Sequence, residues 1–376
     1  MKIGLVLDDT LDTPDGVQQY VLQVGAWLTS KGHDVHYLVG ATTRTDIANI
    51  HSLSRNVHVK FNGNRMSMPL PASKGKLRAF LNEQKFDVLH VQVPYSPFMA
   101  GRLILAAPPS TAIVGTFHIL PYSTFVTVAN RGLGLLNRRS GKRFDRMLAV
   151  SAPAGKFARQ TYGYESVVVP NPVRLAQFAN AMSDSNDLNI VFLGRLVARK
   201  GALQLLQAVV YMREQGLFDG AFKVVIGGKG ELLATLQQFI ATNNLTEIVT
   251  LAGFIAEEDK ANFLAAADIA VYPSTGGESF GIVLLEGMAA ARGVVLAGDN
   301  PGYASVMQPY PDQLFNPMDV AVFAEKLAWY LNEDHQAARE RAAMLQHEYV
   351  RHFDVEVVGA HLLTTYAQAL QSRQQS

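Results

Sequence analysis

The sequence predicts an α/β protein made of two doubly wound halves, each a mostly parallel sheet with helices on both faces. Three observations carry this. Short apolar runs such as Ile3–Leu7 and the Ile190–Leu193 part of the strand Asn189–Leu193 are uninterrupted, as expected of strands covered on both faces. They alternate with segments of helical period. The alternation then restarts after Pro170-Asn171-Pro172, where two prolines remove backbone donors and disfavour continuing an element. A length of 376 residues favours two or three domains. The expected boundaries are 1–170 and 173–354, with a terminal helix at about 355–376.

The elements follow in order. Ile3–Leu7 is the first strand, and Asp8 to Gly16 is a polar loop. Val17 to Ser30 is a helix with Val17, Tyr20, Val21, Val24 and Leu28 on its apolar side. Gly32 ends it, and Val35–Val39 is the next strand. This β-loop-α-β unit lacks G-x-G-x-x-G, so the dinucleotide fingerprint is absent. Further strands are expected at Val57–Phe61, Val88–Val93, Ala112–Phe117, Met147–Val150 and Val167–Val169. The second half opens like the first. Asn189–Leu193 is a strand, Gly194–Gly201 a basic loop, Ala202–Gln215 a helix and Phe222–Ile226 a strand. Strands at Ile248–Phe254, Asp268–Tyr272 and Val294–Ala297 continue the pattern, and from Val320 the chain is almost all helix.

Composition narrows the class. An apolar content of 48% with 17% charge is that of a globular protein. A net charge of +1 excludes a globally basic nucleic-acid binder. There is no cysteine, so disulfide and thiolate chemistry are absent, which fits a reducing compartment. No apolar run approaches the roughly 20 residues that span a bilayer, and the first apolar run is too short for a secretory signal. Any membrane role is expected to be peripheral.

The chain is organised around Pro273 to Ala291. Pro273, Gly276 and Gly277 break a buried strand into a tight loop, and a helix pattern runs from Phe280 with Ile282, Leu285, Met288 and Ala289 on one side. Glu278 lies on the loop and Glu286 eight positions on. If all those steps were helical the two would lie about 12 Å apart along the axis. That is too far for two carboxylates to share one glycosidic bond, which needs about 5 to 9.5 Å. It suits a ligand with two hydroxyl-rich ends and an anion between them, held by free N–H groups of Ser279, Phe280 and Gly281. A sugar nucleotide has that shape. The competing reading is a surface loop glutamate and a solvated helical one.

Other clusters lie at strand ends. Arg195 follows a strand and Lys200 precedes a helix, so both can face the crevice off the carboxyl ends of the strands. Arg offers phosphate a fork and Lys a point charge. Arg199 lacks the strand-end position and is expected to face outward. Gly227-Gly228-Lys229-Gly230-Glu231 is a second glycine-rich turn, equally readable as structural. His118 ends the strand Ala112–Phe117 and could donate to a sugar hydroxyl or steady a reacting phosphate, or be a capped or solvated histidine. The other histidines show no metal spacing. Two basic regions, 65–78 and 131–146, mix Arg and Lys with Met, Leu and Phe. That composition suits an anionic lipid surface or a charged solvated face. Aromatics that could stack bases are not interleaved with them, which argues against nucleic acid.

Taken together these residues resemble the retaining glycosyltransferases of the GT-B fold that carry an E-x7-E motif, the GT4 type. Glu278 and Glu286 fit that motif. Within the family the sequence is most similar to bacterial phosphatidylinositol mannosyltransferases, through Asp12-Thr13-Pro14-Asp15-Gly16-Val17-Gln18 and Gly115-Thr116-Phe117-His118. The resemblance covers essentially the whole chain. It implies two Rossmann-like domains with an interdomain cleft, the first on the acceptor side and the second binding the donor, with the terminal helix packed back on the first. It implies that Glu278 binds hexose hydroxyls, Glu286 the ribose, and Arg195 and Lys200 the diphosphate. Ser279, Phe280, Gly281 and Ile282 would line the donor, and Gly228, Gly230 and Phe254 would border the base. Gly16 and His118 would approach the reacting phosphate and sugar, with Asp9, Asp12 and Gln18 on the acceptor side. No metal and no cofactor are implied, the donor being a GDP- or UDP-linked sugar.

Four features depart from the inositol enzymes. Asp8-Asp9 stands where they have an aromatic residue, Asp15-Gly16 where they have Gly-Gly, and Pro94-Tyr95-Ser96 is off pattern. The Arg195–Lys200 spacing is also one residue short. All but the last lie on the acceptor side and count against inositol as acceptor. The expected activity is transfer of a mannose- or glucose-type hexose to a lipid or lipid-linked glycan by a cytoplasmic enzyme, peripheral on the inner face of the membrane. The alternatives are a nucleotide-sugar epimerase or phosphorylase of the same fold, or a non-catalytic sugar-nucleotide-binding module.

Overall fold

The structure, a computed structural model, describes residues 1–13, 15–61, 64–121, 137–183 and 187–375; the side chains of 58–68 lie outside that description. The chain divides into two compact units, Met1–Pro172 with Val355–Ser376, and Val173–Asp354.

The first unit carries β1 (Lys2–Leu7), β2 (Asp34–Val39), β3 (Ile50–Ser52), β4 (Asn56–Phe61), β5 (Asn64–Pro69), β6 (Val88–Val91), β7 (Ala112–Phe117), β8 (Arg146–Ala149) and β9 (Val167–Val168). Seven of them form one sheet in the order β3-β2-β1-β6-β7-β8-β9, with parallel pairing throughout. The order reverses between β1 and β6, so the carboxyl ends of these two strands form a crevice. Their apolar runs are buried on both faces, as the uninterrupted patterns require.

One strand departs from expectation. Val57–Phe61 lies in β4, which pairs antiparallel with β5 as a separate two-stranded ribbon and not in the parallel sheet. The signal for this was Asn62-Gly63 between the two runs, a strong hairpin dipeptide. The edge strand β3 is only three residues long, too short for a periodicity to announce it.

The helix Val355–Gln374 belongs to the first unit. Val358, Leu362, Tyr366 and Ala369 enter its core, and Gly359 sits against the Trp27 ring, where a Cβ would come within 2.5 Å. Tyr366 Oη lies 2.7 Å from His90 Nδ1, and Arg373 Nε lies 2.8 Å from Asp145.

The second unit carries β10 (Asn189–Leu193), β11 (Lys223–Gly227), β12 (Val249–Gly253), β13 (Ile269–Tyr272), β14 (Val294–Gly298) and β15 (Leu314–Phe315). Their order is β12-β11-β10-β13-β14-β15, again parallel. The switch falls between β10 and β13. This places the loops that follow those two strands side by side at the crevice.

Candidate functional site

In the second unit the loop after β10 and the loop after β13 are bound to each other through their backbones. The Thr275 N–H donates to the Arg199 carbonyl at 2.9 Å, and Ser274 Oγ lies 3.0 Å from the same carbonyl. Gly201 has φ +81°, and a Cβ there would lie 2.0 Å from the Pro273 carbonyl oxygen. Only glycine permits both the turn and the approach.

This junction brings cations onto Glu278. Lys200 Nζ lies 2.8 Å and Arg199 Nη1 2.5 Å from the same oxygen, Oε1, and Ser274 Oγ donates to it at 2.9 Å. Burial alone would raise the Glu278 carboxyl, but Lys200 and Arg199 outweigh it and hold the group below the usual carboxylate range. Burial, against the opposing pull of Glu278, lowers Lys200, with Arg199 and Arg195 adding to the fall. Arg195 is therefore within electrostatic reach of the cluster. One carboxylate thus meets two cations directly, Lys200 and Arg199.

Two expectations are corrected here. Arg199 is turned inward onto Glu278, because the 3-10 turn Ala198–Lys200 swings it toward the β13 loop. The helix begins at Ile282, with Gly281 as its cap, not at Phe280. Its first-turn N–H groups accordingly belong to Ile282 and the residues after it, while Leu284 N–H already donates to Gly281 O at 3.0 Å. Phe280 is buried, and Ser279 and Ile282 are half-buried. Between Glu278 and Glu286 only the stretch from Ile282 is helical.

Glu286 is not a solvated helical residue. Its side chain is 7% exposed, and Lys260 Nζ reaches Oε1 at 2.7 Å while also meeting Glu257 at 2.7 Å. Burial raises the Glu286 carboxyl, and Lys260 partly offsets this. Sequence reasoning missed Lys260. Its only signal was the (i, i+3) spacing from Glu257 at the start of a helix.

Gly228 and Gly230 serve the same loop. A Cβ on Gly228, at φ +142°, would lie 1.8 Å from Gly194 O, and one on Gly230 2.2 Å from Leu196 O. These glycines hold the turn after β11 against the Arg195 loop, with Leu196 N–H donating to Lys229 O at 2.9 Å. Phe254 is 54% exposed, and Lys229 Nζ stands 5.0 Å from its ring centre.

The first unit gathers its polar residues at the ends of β1, β6 and β7. His118 Nε2 lies 2.9 Å from Gln92 Oε1, and the Tyr20 ring stands edge-on to it at 4.9 Å. Burial lowers His118 to about 3, so the ring is neutral at pH 7. It is neither a capping nor a solvated histidine. Asp8 is buried; its carboxylate accepts from Ser96 Oγ and, at 2.8 Å, from Ala100 N–H, and burial raises it to about 7. Asp9 accepts from Thr10 N–H at 2.7 Å. Gln18 is buried, and Gly16 is the exposed first residue of the helix Gly16–Ser30. Asp12 is committed elsewhere: its carboxylate ties Thr42 Oγ1 at 2.5 Å and Thr43 N–H at 2.9 Å, staples between two loops.

Of the basic regions, Lys74, Lys76 and Arg78 are exposed, but Leu77 is core. Arg138, Arg139 and Lys142 are exposed, whereas Arg143 donates to the Ala107 and Pro108 carbonyls. Residues 131–136 lie outside the described residues. Among the described residues no helix is long and apolar enough to cross a membrane, and no group of three or more side chains could hold a metal.

Comparison with known proteins identifies the family. Residues 174–346 match the family model "Glycosyl transferases group 1", and residues 14–177 match "Glycosyltransferase Family 4". The phosphatidyl-myo-inositol mannosyltransferase of Mycolicibacterium smegmatis is 30% identical over 373 residues, 97% of this chain and 93% of that protein. The chain belongs to the glycosyltransferase family that these models describe. A second relative, GDP-mannose-dependent alpha-(1-6)-phosphatidylinositol monomannoside mannosyltransferase of Mycobacterium tuberculosis, is 34% identical over 146 residues, 37% of each chain. HepE of Anabaena, solved with UDP and glucose, matches with a TM-score of 0.75 at 16% identity, over 98% of this chain and 99% of that one. The fold of this glycosyltransferase is thus the GT-B fold of two parallel-sheet, Rossmann-like domains.

Proposed function

We propose that the enzyme is a retaining, metal-independent hexosyltransferase. It moves a mannose- or glucose-type sugar from a nucleoside diphosphate to a lipid or lipid-linked acceptor at a membrane surface. The observation that carries this is the Lys200–Glu278–Arg199 cluster at the switch point of the second sheet, with Arg195 beside it. Glu278, clamped on one oxygen, would turn the other toward hexose hydroxyls. Arg195 and Lys200, with the amino end of the helix Ile282–Ala290, would bind the diphosphate and offset its charge as it leaves. Glu286, steadied by Lys260, would take the ribose, and the exposed Phe254 ring would border the base. In the first unit Gly16, His118, Asp9 and Gln18 would serve the acceptor and the reacting sugar.

The names of the mycobacterial relatives support a GDP-linked mannose donor and an inositol lipid acceptor. The UDP in HepE keeps UDP-sugars in the test. Asp8-Asp9 at the end of β1 makes inositol lipid one acceptor to be compared with others. The exposed cations of 74–78 and 138–142 would face anionic lipid on the cytoplasmic side. The test is a thermal-shift panel of nucleoside diphosphates and their sugars. One base family should raise the melting temperature, since a ligand of the native state stabilises it by mass action. The rise should vanish in Lys200→Ala. No shift with any nucleotide would overturn the reading.

A further inference from the structure

His118 and Gln92 are joined in a way that fixes more than position. The Gln92 amide nitrogen donates to the His90 carbonyl at 3.3 Å, and its oxygen lies 2.9 Å from His118 Nε2. Reversing the amide would set its oxygen against the His90 carbonyl oxygen, acceptor against acceptor. The amide oxygen therefore faces His118, and His118 Nε2 must carry a hydrogen. His90 lies in β6, paired with β1 on one side and β7 on the other, so the backbone carbonyl that orients Gln92 is held in place by the sheet. The Tyr20 ring packs on the His118 imidazole, with its plane at 70° to it. The neutral imidazole carries one hydrogen, and Nδ1 is left with a lone pair.

We propose that Gln92 is a positioning residue that locks His118 in the Nε2–H tautomer, so that Nδ1 accepts a hydrogen bond from a substrate hydroxyl. This reverses the expectation that His118 donates to a sugar hydroxyl. It rests on the reading of His118 as a substrate-facing residue of a transferase. The ligand chemistry it selects is a hydroxyl at that point, not a carbonyl or a phosphoryl oxygen, neither of which can donate.

The tautomer can be read without activity. In the full chain labelled with 15N-histidine, His118 is assigned by the signals lost in His118→Asn. The wild type should show a protonated Nε2 and an unprotonated Nδ1. Gln92→Met removes the amide at similar volume and should move His118 toward a mixture of tautomers. The same variant should lower transfer to a bacterial lipid extract roughly tenfold, the worth of one aligned hydrogen bond. Its affinity for the nucleoside diphosphate should not change. Gln92→Glu keeps an acceptor toward Nε2 and should retain the tautomer while raising the pH at which His118 protonates. It serves as the test if Gln92→Met does not fold. A protonated Nδ1 in the wild type would overturn the proposal. So would an unchanged spectrum in Gln92→Met, or an unchanged titration in Gln92→Glu. If the spectra are as expected but no acceptor is glycosylated, the transferase reading falls and the tautomer assignment stands.

Discussion

Lys200 and Arg199 both end on a single oxygen of Glu278, and this is where charge at the site is decided. Removing one preorganised electrostatic group from such a site costs on the order of a hundredfold or more in turnover. Lys200→Ala should show that loss in the rate of sugar transfer at saturating donor. Asp8 makes a separate prediction. Burial raises its pKa from 3.8 to about 7, so folding favours its protonated form. Its contribution is full below the unfolded value and is lost as pH rises through the folded one. The stability of the protein in denaturant should fall between about pH 4 and pH 7, and Asp8→Asn should flatten that slope. At this scale the sequence was informative about residue type and poor about orientation. Glu278, Arg195 and Lys200 were visible because strand ends and glycines mark them. The inward turn of Arg199, the burial of Glu286 on Lys260 and the Gln92–His118 pair were not. Each depends on which way a side chain leaves a loop or helix, and spacing does not encode that.

Among the elements, the crevice of the second unit is built by backbone zippers. The turn after β11 grips the Arg195 loop, and that loop grips the one after β13. Gly228→Ala would place a Cβ into Gly194 O and strain a φ of +142°, so the Arg195 loop must shift. Nucleotide affinity measured by calorimetry should drop at least tenfold; full affinity would show that the loop does not depend on this contact. In the first unit the terminal helix is pinned by Tyr366 on His90. Tyr366→Phe leaves a buried nitrogen without its partner and should cost about 1–3 kcal/mol in equilibrium unfolding. The strands and long helices were legible because continuous apolar runs and the 3.6 period both reflect burial. The β4–β5 ribbon was misassigned because an apolar run does not say which neighbour it pairs with.

For the whole molecule, the restart after Pro170-Asn171-Pro172 was legible because two sheets need two sets of strands, and the units meet in sequence at Pro172 and Val173. What the chain pattern could not supply was the acceptor, since β1 ends in Asp8-Asp9 and not in a residue type tied to one ligand. Membrane attachment is an electrostatic claim at this scale. The chain should float with anionic liposomes at low ionic strength and be released at high salt, with no flotation on neutral vesicles. Lack of binding at low salt would point to a soluble acceptor. The most direct test of the central claim is transfer of radiolabelled hexose from GDP- and UDP-sugars to a bacterial lipid extract. Wild type should label one lipid product, and Arg195→Ala and Glu278→Ala should each abolish it. Undiminished labelling in both variants would contradict the account.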